Sequence, residues 1–469
     1  VRLAPNFVSP PAWAWRALLL LAPIALVIRA LVGHHGIGGG DVETIYYPFW
    51  DYVGQSLRHG RLPLWDPDLG TGVPVLASLQ SQCLYLPATI LFTLLPLHVA
   101  SFVFLFGHLY FAGFGTERLA RRLGWSASSA TCAGALAAGT PMLLSSLTRP
   151  NMLTAAAWLP WTMLAVDRVC RRQRGGIAAL AVCMAMSLLC GSPEVTLLGV
   201  LGAGGYALWQ LTRGNRLAVP LTVAAGLIGA ALAAVALLPL VELLHHSSRA
   251  ADLIGREGAW SFGRWDFGSL FLPFLNIDVP GRTFEEIFFG RYQGLLAVLY
   301  LGAPAALLGA VALRRGGRRE WLLLLVAVLA LLLSAYGTEI NPVMQRFHIA
   351  WVSWRYAVKF IYPAAFAAAL LAARGAEELA DDAPAGVLAL GLLGAALLLG
   401  AIIGLQRLGS PLGLSLVWVG AGLLAFATIL RKVPRGPWRQ WALVALCVVD
   451  VGLCSLRISF ADASTECPS

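Results

Sequence analysis

Residues 385–405 read AGVLALGLLGAALLLGAIIGL, twenty-one positions without a charged or hydrogen-bonding side chain. Coiled as an α-helix at 1.5 Å per residue, such a run is about 30 Å long, the thickness of a bilayer's hydrocarbon core. Lipid offers the backbone no hydrogen bonds, so a spanning segment must satisfy its own N–H and C=O groups. The run lacks the period-two alternation of a barrel strand and therefore reads as a transmembrane helix.

The same pattern recurs outward in both directions. Apolar runs fall at about 17–33, 98–117, 125–147, 152–169, 176–191, 195–212, 217–241, 292–313, 321–336, 357–374, 411–430 and 440–457. Together they predict an all-α polytopic membrane protein with about 13 transmembrane helices. Composition agrees: 58% of the 469 residues are hydrophobic and only 12% charged, about half the charge of a soluble domain. The mean hydropathy is +0.73. No small-residue cleavage site follows the first run, which predicts a retained first helix. The segment Leu84 to Leu95 is short and proline-rich, and reads as re-entrant or interfacial.

Charge gives the orientation. Arg118, Arg121 and Arg122, then Arg168, Arg171, Arg172 and Arg174, then Arg213 and Arg216, mark alternate connections. Arg314, Arg315, Arg318 and Arg319, then Arg374, then Arg431, Lys432, Arg435 and Arg439 continue the series. With Arg2 and Arg16, one side holds 20 basic residues; the other holds 13 against 16 acidic ones, with Arg29 inside the first helix. The positive-inside rule puts the N-terminus and these clusters in the cytoplasm. The formal charge of +10 is thus a topological signal and not a nucleic-acid patch.

One membrane domain, 1–457, follows, with a short outward tail at 458–469. Its outward loops are long, at 34–97, 242–291 and 337–356, and its inward connections short. Long loops carry function more often. The first loop runs Gly38-Gly39-Gly40-Asp41-Val42-Glu43 and then places Ile45, Phe49, Trp50, Val53 and Leu57 at helical spacing. This predicts an aromatic-rich interfacial helix with Asp41 at its N-cap.

The order of an acid followed by YYPFWDYV (Tyr46–Val53), GRLPLWDPDLGTGVP (Gly60–Pro74) and LQSQCLYLP (Leu79–Pro87) resembles the bacterial YfhO-type membrane protein family. That family is similar to the glycosyltransferase C superfamily of polyprenyl-phosphate-sugar-dependent enzymes. WRYAVKF (Trp354–Phe360), RGAEEL (Arg374–Leu379) and a last helix bearing Asp450 extend the resemblance. Family members continue into a larger outward C-terminal region, whereas this sequence stops at Cys467-Pro468-Ser469, the expectation for a short form or a fragment.

The resemblance implies a glycosyltransferase C-like fold and a sugar transfer from a polyprenyl-phosphate donor to an envelope glycan or glycolipid. It places this activity on the outer face of a bacterial plasma membrane. It puts the catalytic acid just after the first helix, at Asp41, with Glu43 second. Such chemistry needs a carboxylate to take the acceptor's proton and cations to stabilise the leaving phosphate. Arg149 and Asn151, flanking Pro150 at an outward turn, are candidates to contact phosphate or sugar. Glu194 lies in the tight turn Gly191-Ser192-Pro193-Glu194. Arg355 and Lys359, at i and i+4, would share one helix face near the headgroups. Helix capping, solvated turns and ordinary headgroup anchoring are the competing explanations for these residues.

The adjacent pairs His34-His35 and His245-His246 point apart on a helix, and no metal site is drawn. GxxxxGK[ST], GxGxxG after a strand, HExxH and GxSxG are absent. The expected partners are membrane lipids, the polyprenyl-phosphate-linked sugar as donor substrate and an envelope glycan or glycolipid acceptor, without nucleic acid; the sequence assigns no cofactor and leaves a need for a divalent metal undetermined. A transporter or flippase of lipid-linked saccharides, or a non-catalytic envelope-assembly protein, is the alternative. A transporter would show repeated halves, broken helices and midplane charges.

Overall fold

A computed structural model describes residues 10–21, 23–24, 27–28, 35–37, 41–247, 261–262, 266–273, 278–279, 282–283, 299–335, 357–382, 386–408, 411–455 and 460–462. These residues form helices almost throughout, as the apolar runs predict. Five helices are long and apolar enough to cross a membrane, or six if one bent pair counts as a span. They are Leu97–Arg122, Ala127–Thr148, Pro193–Thr212, Ala357–Asp381 and Ser415–Lys432, with the bent pair Ala218–Leu232 and Ala234–His245. The chain is a multi-pass helical membrane protein.

The predicted helices differ by being interrupted, and the run 292–313 is helical only from Ala303 among its described residues. The run 125–147 divides into Ala127–Ala138, Pro141–Ser145 and the 3-10 turn Ser146–Thr148. The run 152–169 divides into Pro150–Ala157 and Leu159–Cys170. Pro141 and Pro160 explain these breaks, because proline lacks the N–H a continuing helix requires and suits the first turn of a new one. The pair around Ala233 bends by 73° without a proline at the break. Leu86–Leu94 is a nine-residue helix, as short as the sequence implies. The third outward loop and most of the second lie outside the described residues.

Packing between helices is close where glycines face each other. A Cβ on Gly375 would lie 1.8 Å from the carbonyl oxygen of Leu308, so the Tyr362–Asp381 and Ala303–Arg315 helices touch backbone to backbone. Gly113 and Gly134 meet in the same way, at 2.8 and 2.7 Å from each other's carbonyl, and so do Gly394 and Gly420. Without water to expel, helices in lipid associate by such contacts.

The basic clusters are partly neutralised within the fold. Asp167 accepts Arg122 at 2.5 Å, Arg171 at 2.9 Å and the Tyr206 hydroxyl at 2.6 Å. Glu117 pairs with Arg121 at 2.8 Å, and Arg315 with Asp382 at 2.5 Å. Arg374 contacts Glu377, Glu378 and Glu320. At the far end, a two-stranded ladder joins His35–Ile37 to Phe460–Asp462, so the exit of the last helix lies beside the entry to the first loop.

Candidate functional site

The first loop opens on a π turn. Val42–Tyr46 closes with the N–H of Tyr47 on the carbonyl of Val42, five residues back. This is one residue wider than an α turn, a form often found where side chains are placed for function. The α-helix Tyr47–Arg58 continues from it, with Pro48 in its first turn. Val42, Tyr46, Phe49, Trp50 and Val53 are buried, and the Trp50 ring stacks on Phe92 with centroids 4.5 Å apart. Helices Leu86–Leu94 and Leu97–Arg122 supply these partners, so the apolar stripe of the loop helix rests on protein.

Asp41 sits at the N-cap of this element but makes no capping hydrogen bond. Its carboxylate faces Arg149 instead, 3.8 Å from Nε. That separation is an ion pair without a hydrogen bond. Arg149 Nε is buried and has no hydrogen-bond partner. The Asp41 side chain is 44% exposed and that of Arg149 19%, so the acid is on the open side of the pair. Glu43 turns inward, with Oε1 buried and unpartnered. Burial, reinforced by the charge of Glu43, pushes the Tyr47 phenol up to about 12.

Arg149 caps the helix Pro150–Ala157. Its neighbour Asn151 is a buried staple: its amide donates to the Gly191 carbonyl at 3.0 Å, and its Oδ1 accepts from the Met152 N–H. Gly191 has a φ of 80° and no space for a side chain, because a Cβ would lie 2.4 Å from the carbonyl oxygen of Leu79. Only glycine suits both demands. This turn starts the helix Pro193–Thr212 and puts Glu194 in its first turn, 3.2 Å from the Lys359 ammonium. Lys359 lies on the 3-10 turn Ala357–Ile361 with its side chain only 8% exposed, against 29% for Glu194. Arg355, its predicted companion, lies outside the described residues, as does Arg29.

Further side chains that sequence reasoning left out complete the group. Tyr362, one turn beyond Lys359, shares a 2.6 Å hydrogen bond with Ser146 just before Arg149. Tyr46 is wholly buried, with its hydroxyl within reach of the Asn151 backbone and the Gln80 side chain; burial and the nearby Asp41 charge push its phenol well up. Below them, Gln82, at a φ of 54°, donates to Thr154 Oγ1 at 3.0 Å and to the Cys190 carbonyl at 2.9 Å. Tyr46, Gln80 and Gln82 fall inside stretches already quoted for their resemblance, but nothing in their spacing marks them. Among the described residues no three His, Cys, Asp or Glu side chains gather as a metal set.

The cluster therefore joins the first loop, the turns before Pro150 and Pro193, and the 3-10 turn before Tyr362. It holds three carboxylates, Asp41, Glu43 and Glu194, and two cations, Arg149 and Lys359. A half-exposed carboxylate can take a proton from a hydroxyl, and cations held from behind can bind an anionic group.

Fold and cluster together define a helical membrane protein with an acid-and-cation site at one end of its helices. No family model matches the sequence, and no curated protein does. Two solved structures are similar in shape. ArnT from Cupriavidus metallidurans bound to undecaprenyl phosphate aligns with 95% of this chain and 78% of its own, at 15% identity and a TM-score of 0.44. The apo state of the same protein covers the same shares at 14% identity and a TM-score of 0.46.

Proposed function

We propose that this protein transfers a sugar from a polyprenyl-phosphate donor to an envelope glycan or glycolipid. The reading places it in a bacterial plasma membrane with its N-terminus cytoplasmic and the cluster facing outward. The observation that carries it is the meeting of Asp41 with Arg149, beside the Glu194–Lys359 pair. The YfhO-type resemblance of the first-loop stretches supports it.

In this mechanism Asp41 accepts the proton of the acceptor hydroxyl. The acceptor oxygen forms a bond to the sugar's anomeric carbon while the bond from that carbon to the phosphate oxygen breaks. The phosphate leaves with the electron pair, and Arg149 and Lys359 stabilise the charge it gains. Glu43 shapes the field behind Asp41, and Glu194 holds Lys359 in place until an anionic ligand arrives. Asn151 acts through the Gly191 turn and keeps Arg149 and Glu194 in register.

Asp41→Asn keeps shape and removes the base. With a defined lipid-phosphate sugar, transfer is expected to fall by at least about two orders of magnitude, the usual scale of general-base catalysis, while the protein inserts normally. Full transfer by this variant overturns the assignment. The broken helices, with the 73° bend at Ala233 foremost, favour a second reading as a transporter of lipid-linked saccharides. In that case Asp41→Asn leaves flipping of a fluorescent lipid-linked saccharide in vesicles unchanged.

A further inference from the structure

At the opposite end of the membrane domain a positive charge is buried without a counter-ion. The helix Pro437–Ser455 starts after Gly436, which has a φ of 113° and donates its N–H to the Ala380 carbonyl at 2.8 Å. Arg439 and Gln440 stand in its first turns, 5% and 3% exposed. Arg439 Nε and Nη2 both donate to one acceptor, the carbonyl of Val433, at 3.1 and 2.8 Å. Its Nη1 is buried and has no partner, and neither has Nε2 of Gln440.

Among the described residues no carboxylate forms an ion pair with this guanidinium. Asp381 and Asp382 attract it from a distance and Arg435 repels it. Asp382 is already engaged by Arg315 at 2.5 Å. A lysine in this position could shed its proton, but an arginine keeps its charge at any ordinary pH. The Val433 carbonyl supplies lone pairs and no negative charge. A buried charge in this state is costly unless it is paired.

Both idle groups here are side-chain donors: Nη1 of Arg439 and Nε2 of Gln440. We propose that Arg439 and Gln440 form a second anion site, which takes a phosphate group at the basic end of the membrane domain. The group belongs to the phosphodiester of an anionic lipid headgroup or to free phosphate. The surroundings are those of a headgroup belt: Arg431, Lys432 and Arg435 lie close in sequence, the Trp438 and Trp441 rings stand 6.2 Å apart, and Trp441 donates to the Ala14 carbonyl. The site is independent of the Asp41 cluster. Its helix runs about 28 Å away along the bundle, and the strand beyond the far end of that helix pairs with His35–Ile37, just before Asp41.

The test is the thermal stability of the detergent-purified full chain during three titrations at matched ionic strength: phosphatidylglycerol, phosphatidylcholine and inorganic phosphate. Native mass spectrometry of retained lipid runs beside it. Wild type is expected to be stabilised by phosphatidylglycerol and not by phosphatidylcholine. Arg439→Gln and Gln440→Leu should each weaken that effect by roughly tenfold in apparent affinity. Stabilisation by phosphatidylglycerol alone identifies a lipid headgroup, and equal stabilisation by inorganic phosphate identifies the free anion. If Arg439→Gln does not fold, Gln440→Leu and Arg439→Lys carry the same comparison. The proposal is overturned if the variants bind either ligand as tightly as wild type. It is equally overturned if neither ligand stabilises wild type beyond chloride and phosphatidylcholine.

Discussion

Asp41 and Arg149 are 108 positions apart in the chain and 3.8 Å apart in the fold. The pairing follows from the π turn that aims the carboxylate and the turn before Pro150 that aims the guanidinium, and neither is visible in local sequence. Lys359→Met should raise the KM for a lipid-phosphate donor roughly tenfold or more, since a hydrogen bond to a charged group contributes about 1.5–3 kcal/mol. Steady-state kinetics in detergent checks this, and an unchanged KM would remove Lys359 from the phosphate contact. Tyr46→Phe removes a buried hydroxyl that lies within reach of the Asn151 backbone and the Gln80 side chain. It should lower unfolding stability by about 1–3 kcal/mol, read from a denaturant titration. Tyr47 gives a pH signature. Its folded phenol ionises at about 12 against an ordinary 10.0. The folded state therefore holds the proton more tightly, and the stability this confers is complete below pH 10 and lost as pH rises through about 12. Tyr47→Phe should flatten that part of an alkaline stability profile.

At the scale of elements, the apolar runs told where helices lie but not where they stop. Hydrophobicity is the same on both sides of Thr140, Trp158 and Ala233, so composition cannot mark a break there. Pro141 and Pro160 mark the restarts once the structure is known, although 125–147 and 152–169 read as unbroken apolar runs, and no proline stands at the bend at Ala233. The candidate site was legible in its charged residues and in Asn151, beside Pro150. Asp41 stood out through the family resemblance, and Arg149, Glu194 and Lys359 as charges at turns and a helix start, while Tyr46, Ser146 and Tyr362 look like ordinary constituents of a membrane helix. The glycine crossings offer a test with an internal control. Gly375→Ala must push aside a carbonyl that lies 1.8 Å from the new carbon, and should destabilise by about 1–3 kcal/mol. Gly107→Ala meets nothing within 4 Å, and should be neutral or stabilising by up to about 1 kcal/mol. Comparable losses at both positions would mean that the crossing at Leu308 is not tight.

For the whole molecule, orientation rests on the asymmetry of arginine. Part of that charge is consumed by Asp167, Glu117 and the acids around Arg374, yet the asymmetry survives because the opposite loops hold more acids than bases. Single cysteines can read it, since all the described native cysteines are buried. Leu62→Cys, on an exposed loop, should react with an impermeant maleimide in intact cells. Gln173→Cys, beside the Arg171 cluster, should react only after permeabilisation. The reverse pattern would place the Asp41 cluster in the cytoplasm and end the proposed outward chemistry.

The ladder between His35–Ile37 and Phe460–Asp462 has a consequence for biosynthesis. A segment that leaves the ribosome early must wait for its ladder partner until more than four hundred further residues have followed it, helix after helix, into the bilayer. The neighbourhood of Asp41 thus reaches its final form only after the helix Pro437–Ser455 is inserted, and chains terminated before residue 460 are left without this closure.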